Sequence, residues 1–279
     1  MTLHAILILG GVGLVFAIFI ALANRRLWVW EDPRIDAVAA MLPNANCGAC
    51  GLPGCRAFAE QAVAGRIAPS QCTVGSDDSH KAIADFLGVD AGSAVRRVAR
   101  LQCAGGYDVA ASQAEYRGLA SCAAAAAVAG GGKGCAWGCL GLADCERVCD
   151  FDAIAMSDTG LPVVDPVKCT ACGDCVTACP KGLFTLLPVD YQLLVQCKNL
   201  LSGDAVLEQC KVACTACGKC VQDAAPGLIS VANGVAVVNY DTNAQADRHA
   251  VERCPTGAIV WLAGAQFARV PSLSGSENA

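Results

Sequence analysis

Cys169-Thr170-Ala171-Cys172-Gly173-Asp174-Cys175-Val176-Thr177-Ala178-Cys179-Pro180 is the stretch on which the reading of this chain turns. Gaps of two, two and three residues separate four cysteines, and a proline follows. In such a run three close thiolates grip one [4Fe–4S] cube while the fourth cysteine reaches over to a second cube. Soft sulfur ligands match iron in these clusters, and short gaps let one loop wrap three corners of a cube. Zinc is the competing metal, but it usually takes two separated Cys-x2-Cys knuckles.

Upstream lies a stretched version of the run, Cys135-x3-Cys139-x5-Cys145-x3-Cys149, with Asp150 where the proline would stand. The crossover rule assigns one cube to Cys135, Cys139, Cys145 and Cys179, and another to Cys149, Cys169, Cys172 and Cys175. Downstream, Cys214-x2-Cys217-x2-Cys220 supplies three ligands and Cys254-Pro255 a crossover fourth. The partner cube of that copy would need cysteines at Ala224, Ala244, Asp247 and Ala250, and all four are missing. Losing one whole set while keeping the other is what removal of a single cluster leaves behind. Nearer the N-terminus, Cys47-x2-Cys50-x4-Cys55-x16-Cys72 forms a further set, with Gly48, Gly51 and Gly54 freeing the backbone to curl. That spacing alone fits iron or zinc.

Sixteen of the twenty cysteines thus fall into four expected [4Fe–4S] sites. Cys103, Cys122, Cys197 and Cys210 remain. Buried cysteine often behaves as a small hydrophobe, and that is the default for these four; Cys210 also competes with Cys214, since Cys210-x3-Cys214 echoes Cys135-x3-Cys139. Tight cysteine groups in a chain of 279 residues suit shared metal centres in a reducing compartment better than loop-closing disulfides.

Local patterns support a repeated module. Ala153–Met156 and Leu161–Val164 flank the turn Ser157-Asp158-Thr159-Gly160, and Leu228–Val231 and Val235–Val238 flank Asn233-Gly234, a strong hairpin signal. The expected fold class is α+β. Residues 1–26 form a transmembrane anchor, 31–91 a small 4Fe–4S domain, and 92–134 a helical connector ending in a glycine hinge. Residues 135–190 form a two-cluster ferredoxin-like module, 205–264 a degenerate one-cluster copy, and 265–279 a tail whose SLSGSENA end reads as disordered.

The anchor is Ala5 to Ala23, AILILGGVGLVFAIFIALA, which holds no charge. At about 1.5 Å per residue this spans roughly 29 Å, the thickness of a bilayer's hydrocarbon core. Arg25 and Arg26 follow, then Trp28 and Trp30 as an interfacial pair. No Lys or Arg precedes the run, so the positive-inside bias places the N-terminus outside and the cluster domains in the cytoplasm, on a single-pass inner-membrane protein. A cleaved signal peptide is the alternative, given Ala21-Leu22-Ala23, but its basic n-region is missing.

A net charge of −5 and the lack of a basic stripe give no sign of nucleic-acid binding. His4, His80 and His249 stand alone and read as surface or structural residues. Gly130–Gly134 lacks the Gly-Lys-Ser/Thr signature of a phosphate loop. No general acid, base or nucleophile stands out, so the chemistry belongs to the clusters.

The pattern resembles the B subunit of the Rnf complex, a membrane ferredoxin:NAD+ oxidoreductase, over nearly the whole chain. The resemblance is carried by the anchor, Asn44-Ala45-Asn46-Cys47-Gly48-Ala49-Cys50-Gly51, Pro53-Gly54-Cys55, Gly138-Cys139-Leu140-Gly141-Leu142 and Cys149-Asp150-Phe151-Asp152-Ala153-Ile154. Lys168-Cys169, Cys179-Pro180-Lys181-Gly182-Leu183 and Cys254-Pro255-Thr256-Gly257-Ala258-Ile259 match as well. It implies electron transfer from reduced ferredoxin, or a similar low-potential donor, toward membrane and flavin-bearing subunits that handle NAD. Long forms of the family carry cysteines like the four left over here, whereas this chain lacks the final cube of the longest members. An electron-transfer subunit without a catalytic site of its own is expected. Other readings are the iron–sulfur subunit of another respiratory or photosynthetic complex, and a free-standing tethered carrier.

Overall fold

The computed structural model describes residues 2–27 and 31–267. The expected interfacial pair Trp28 and Trp30 and the tail beyond 267 lie outside the described residues. Helix α1, Thr2–Leu27, contains the uncharged run and closes on Arg25 and Arg26. Its Leu9–Leu27 portion is long and apolar enough to cross a membrane, and none of its most apolar stretch is buried among the described residues. Leu14, Phe16, Phe19 and Ile20 all stand exposed on it. Such a helix fits a single-pass membrane protein.

Three short helices build the first cysteine-bearing unit. Helix α2, Pro33–Met41, starts on the carboxylate of Asp32, with proline at its first position. Helix α3, Cys55–Val63, and α4, Asp77–Leu87, follow; α4 is capped by Ser76 and ends on left-handed Gly88. Val38, Phe58, Ala62 and Ile83 interlock with Cys72 in the core between them.

The remainder is two copies of one arrangement. In the first, β1 (Arg97–Leu101) leads past α5 (Cys122–Ala127) and α6 (Asp144–Arg147) into the hairpin β2 (Ile154–Met156) and β3 (Pro162–Val164). Helix α7 (Asp174–Ala178) and β4 (Phe184–Pro188) complete it. Strands β1 and β4 pair antiparallel, with Ala99 opposite Leu186. In the second copy β5 (Leu193–Val195) leads through α8 (Ala205–Gln209) and α9 (Lys219–Asp223) to the hairpin β6 (Ile229–Ala232) and β7 (Val235–Val238). Helix α10 (His249–Glu252) and β8 (Ile259–Trp261) close it, and β8 pairs antiparallel with β5. Each copy has its own apolar core, one around Leu101, Leu161 and Leu183, the other around Leu193, Leu228 and Ile259. The architecture is α+β, with ferredoxin-like modules behind an N-terminal apolar helix.

Both expected hairpins form. Asn233 and Gly234 take positive φ values of 51° and 79°, the turn that matches strand twist. The helical connector expected over 92–134 is corrected: its first part is strand β1, α5 is its one α-helix among the described residues, and Ala129–Gly132 is a turn of left-handed residues with φ of 46° to 78°. Val98, Ala99 and Leu101 are buried against β4, so pairing with a strand nearly ninety residues away, by register Val98 to Leu187, outweighs local helix preference. Each module therefore starts earlier than its cysteine run, at β1 and at β5.

Candidate metal centres

None of the twenty cysteines forms a disulfide. Among the described residues, no three Cys, His, Asp or Glu side chains converge on a single ion. The thiols instead ring hollows, as a four-iron cube requires and a mononuclear zinc site does not.

Cys47, Cys50, Cys55 and Cys72 line one hollow of about 340 Å³, beside Phe58 and Gly54. Asn46 organises the loop: its Oδ1 accepts from the Cys55 backbone N–H at 2.9 Å. A ring nitrogen of His80 bonds the Cys72 carbonyl at 2.9 Å, which gives this histidine a structural role. Cys149, Cys169, Cys172 and Cys175 line a second hollow of about 320 Å³. Cys214, Cys217, Cys220 and Cys254 line a third of about 380 Å³. In all three, the residues grouped by spacing are brought together.

The loops that present these thiols share a backbone signature. Ala171 and Gly173 have φ of 57° and 94°, and Ala216 and Gly218 have 56° and 74°. Gly141 and Ala143, at 73° and 63°, repeat it. Alternating left-handed residues turn successive N–H groups inward, a concave donor surface suited to anions. By this register Leu142 stands where Cys172 and Cys217 stand in the other two loops.

Cys135 is the one grouped residue whose companions differ. It lies on a fourth hollow, of about 340 Å³, with Cys103, Cys197 and Cys210. Spacing alone puts it with Cys139, Cys145 and Cys179. The thiols beside Cys145 are those of Cys139, Cys122, Cys175 and Cys179. Cys122 reaches this place because Asp144, in the first turn of α6, accepts from the Ser121 hydroxyl and the Ala123 N–H, both at 3.0 Å. Treating Cys103, Cys122, Cys197 and Cys210 as filler is therefore corrected: each faces other thiols. The signal was in the repeat, because Leu101-Gln102-Cys103 matches Val195-Gln196-Cys197.

Burial sets the acidities. It raises the thiols of Cys139 and Cys175 to about 12, and those of Cys172, Cys197 and Cys220 to about 11. Neighbouring thiolates add to the rise at Cys139, Cys175 and Cys220. Cys254 goes the other way. Burial opposes its ionisation, but the N–H groups of Ile259, Thr256 and Ala258 and the Thr256 hydroxyl prevail and hold it below the usual range. Other amides also address sulfur: Leu183 N–H to Cys179 Sγ and Ala236 N–H to Cys214 Sγ, both 3.4 Å. Donors without acceptors around thiolates fit an anionic cluster.

Comparison with known proteins agrees with this geometry. An Fe–S cluster family model matches residues 42–74, and a 4Fe-4S binding domain model matches 161–184. The B subunit of the Na(+)-translocating ferredoxin:NAD(+) oxidoreductase complex of Acetobacterium woodii is 47% identical over 90% of this chain and 75% of its own length. The chain belongs to the family of Rnf B subunits. Its counterpart in the proton-translocating ferredoxin:NAD(+) oxidoreductase complex of Clostridium ljungdahlii is 36% identical, over 89% of this chain and 88% of that protein. The B subunit of an ion-translocating oxidoreductase complex of Methanosarcina acetivorans is 33% identical, over 92% and 97%. As a homologue of Rnf B subunits the chain carries [4Fe–4S] clusters, and its cysteine hollows are where this family's cofactor fits.

Proposed function

We propose that this chain is the membrane-tethered electron-transfer subunit of an Rnf-type ferredoxin:NAD+ oxidoreductase, receiving electrons from reduced ferredoxin or a similar low-potential donor. The observation that carries this is the succession of four-thiol hollows behind an N-terminal helix of membrane-spanning length. Bound [4Fe–4S] clusters supply one-electron transfer. The polypeptide supplies position and potential: the left-handed loops turn amides toward sulfur, apolar cores exclude water, and Lys133 and Arg100 bring positive charge near thiolates. The ligand sets are Cys47, Cys50, Cys55 and Cys72; Cys149, Cys169, Cys172 and Cys175; and Cys214, Cys217, Cys220 and Cys254, with further sets around Cys139 and Cys135. No protein side chain needs to act as acid, base or nucleophile. Arg25 and Arg26, at the C-terminal end of α1, support a cytoplasmic location for the clusters, the side on which flavin-bearing partner subunits would take up the electrons.

Extraction of native membranes in mild detergent under anaerobic conditions tests the assignment. Co-purification with flavin-bearing membrane subunits, and bleaching of the brown absorbance by reduced ferredoxin, is the expected result. Isolation of the chain alone, still bleached by ferredoxin, would point to a free-standing carrier, and a colourless preparation would end the iron–sulfur reading.

A further inference from the structure

The fourth hollow lies where the two modules meet, and both contribute to it equally. Cys103 follows β1 by two residues, and Cys197 follows β5 by two. Cys135 precedes Cys139 by four residues, and Cys210 precedes Cys214 by four. The backbone repeats the correspondence: Gln102 N–H donates to the Leu183 carbonyl at 2.8 Å, and Gln196 N–H to the Ala258 carbonyl at 2.7 Å. Leu183 and Ala258 stand four residues after Cys179 and Cys254, respectively. The modules are joined at this place by the Ala104 N–H to Gln196 carbonyl bond, at 3.0 Å, and by a bridge between Ala110 and Cys210.

The lining is built for an anion with sulfur ligands. Asn199 is 1% exposed, yet its side-chain amide points at Cys135 Sγ, 3.5 Å away, and its backbone N–H at Cys197 Sγ, also 3.5 Å. The Cys139 N–H donates to Cys103 Sγ at 3.4 Å. Lys133 also lines the hollow, with Nζ anchored on the carbonyl oxygens of Gly105 and Cys139, both at 2.5 Å. Gly105 leaves the space open: a Cβ there would stand 3.0 Å from Cys210 Sγ and 3.7 Å from Cys103 Sγ. Like the three hollows whose ligands spacing groups, this hollow is lined by four cysteines.

We infer that Cys103, Cys135, Cys197 and Cys210 hold a fifth [4Fe–4S] cluster at the junction of the modules, two ligands from each. The inference rests on the iron–sulfur reading above and adds a site to it. It also completes the neighbouring set. Once Cys135 is committed to the junction, Cys122 takes its place with Cys139, Cys145 and Cys179, filling the corner that Leu142 vacates. Five sets of four then use all twenty cysteines.

The test is the metal content of the anaerobically purified full chain. About 20 iron and about 20 acid-labile sulfide per chain are expected, and about 16 of each in Cys103→Ser/Cys197→Ser, with the fully reduced spin count falling by about one cluster. A Cys122→Ser chain should lose iron from a different cluster, leaving the spectrum of the junction site in place. Wild-type protein with about 16 iron, unaltered by the double substitution, overturns the fifth site while leaving the electron-transfer reading intact. So does about 16 iron accompanied by one zinc. Little iron in any form overturns both. Should the double variant fail to fold, the wild-type count still decides, and Asn199→Leu, which removes a donor to Cys135, should shift one midpoint potential and no other.

Discussion

Lys133 donates from Nζ to the carbonyl oxygen of Cys139 at 2.5 Å, so its ammonium is fixed between two sets of thiols. Its charge favours the ionised form of Cys135, Cys139 and Cys210. A fixed positive charge stabilises the reduced, more negative state of a nearby cluster. Lys133→Met should therefore lower the affected midpoint by roughly 60 mV, a tenfold change for one electron. Spectroelectrochemical titration reads the shift, and an upward displacement would contradict the argument.

Arg100 presents a similar case in β1. The residue is 2% exposed, its Nη1 donates to the Gly264 carbonyl at 2.8 Å, and its Nε has no hydrogen-bond partner among the described residues. Desolvation pulls the guanidinium pKa down, and the thiolate of Cys169 works to restore it. A buried cation persists where a negative group compensates it. Arg100→Met should lower the potential of the cluster at Cys149, Cys169, Cys172 and Cys175 and leave that at Cys254 unmoved, as separate titration of the two signals would establish.

Gly141 has φ of +73°, and a Cβ there would collide with the Tyr107 hydroxyl and stand 2.9 Å from the Gly160 carbonyl. Gly141→Ala should cost about 1–3 kcal/mol in backbone strain, plus displacement of Tyr107. The loop it distorts presents Cys139 and Cys145, so iron should be lost first from their cluster. Thermal melting with metal analysis on the same sample measures both effects.

Cys254 is the crossover ligand of the last module and faces Cys214, Cys217 and Cys220 across one hollow. Cys254→Ser should remove or convert one cluster, lowering iron by about four atoms at most. Unchanged iron with an unchanged spectrum would show that this thiol is not a ligand.

Cluster loading should strengthen as pH rises. Iron takes thiolates, so each ligand that is still protonated releases a proton on binding. Burial raises Cys197 and Cys220 to about 11, and Cys139 and Cys175 to about 12, so at neutral pH the metal-free fold keeps these protons. Higher pH favours the proton-releasing direction. Anaerobic reconstitution between pH 7 and pH 9 should show increasing apparent affinity, and a flat profile would mean the thiols are already ionised.

Short-range sequence patterns are enough to read which thiols line three of the hollows, both hairpins and the apolar length of α1, because each depends on residues close in the chain. The run from Cys169 to Cys175 must wrap one object whatever surrounds it. Two features escape that logic. Strand β1 is a strand through its pairing with β4, and the companions of Cys135 lie just beyond β1, β5 and α8, up to seventy-five residues away by Cys135 and Cys210.

The order of residues suffices for the chemistry: twenty soft ligands in tight groups, set behind an uncharged helix, call for iron–sulfur clusters near a membrane. Which thiols gather at the junction of the modules is decided by the folded chain. Spacing can measure the curl of one loop, but the approach of two modules is set by strand pairing and core packing over long separations. At that junction Cys103 and Cys135 meet Cys197 and Cys210.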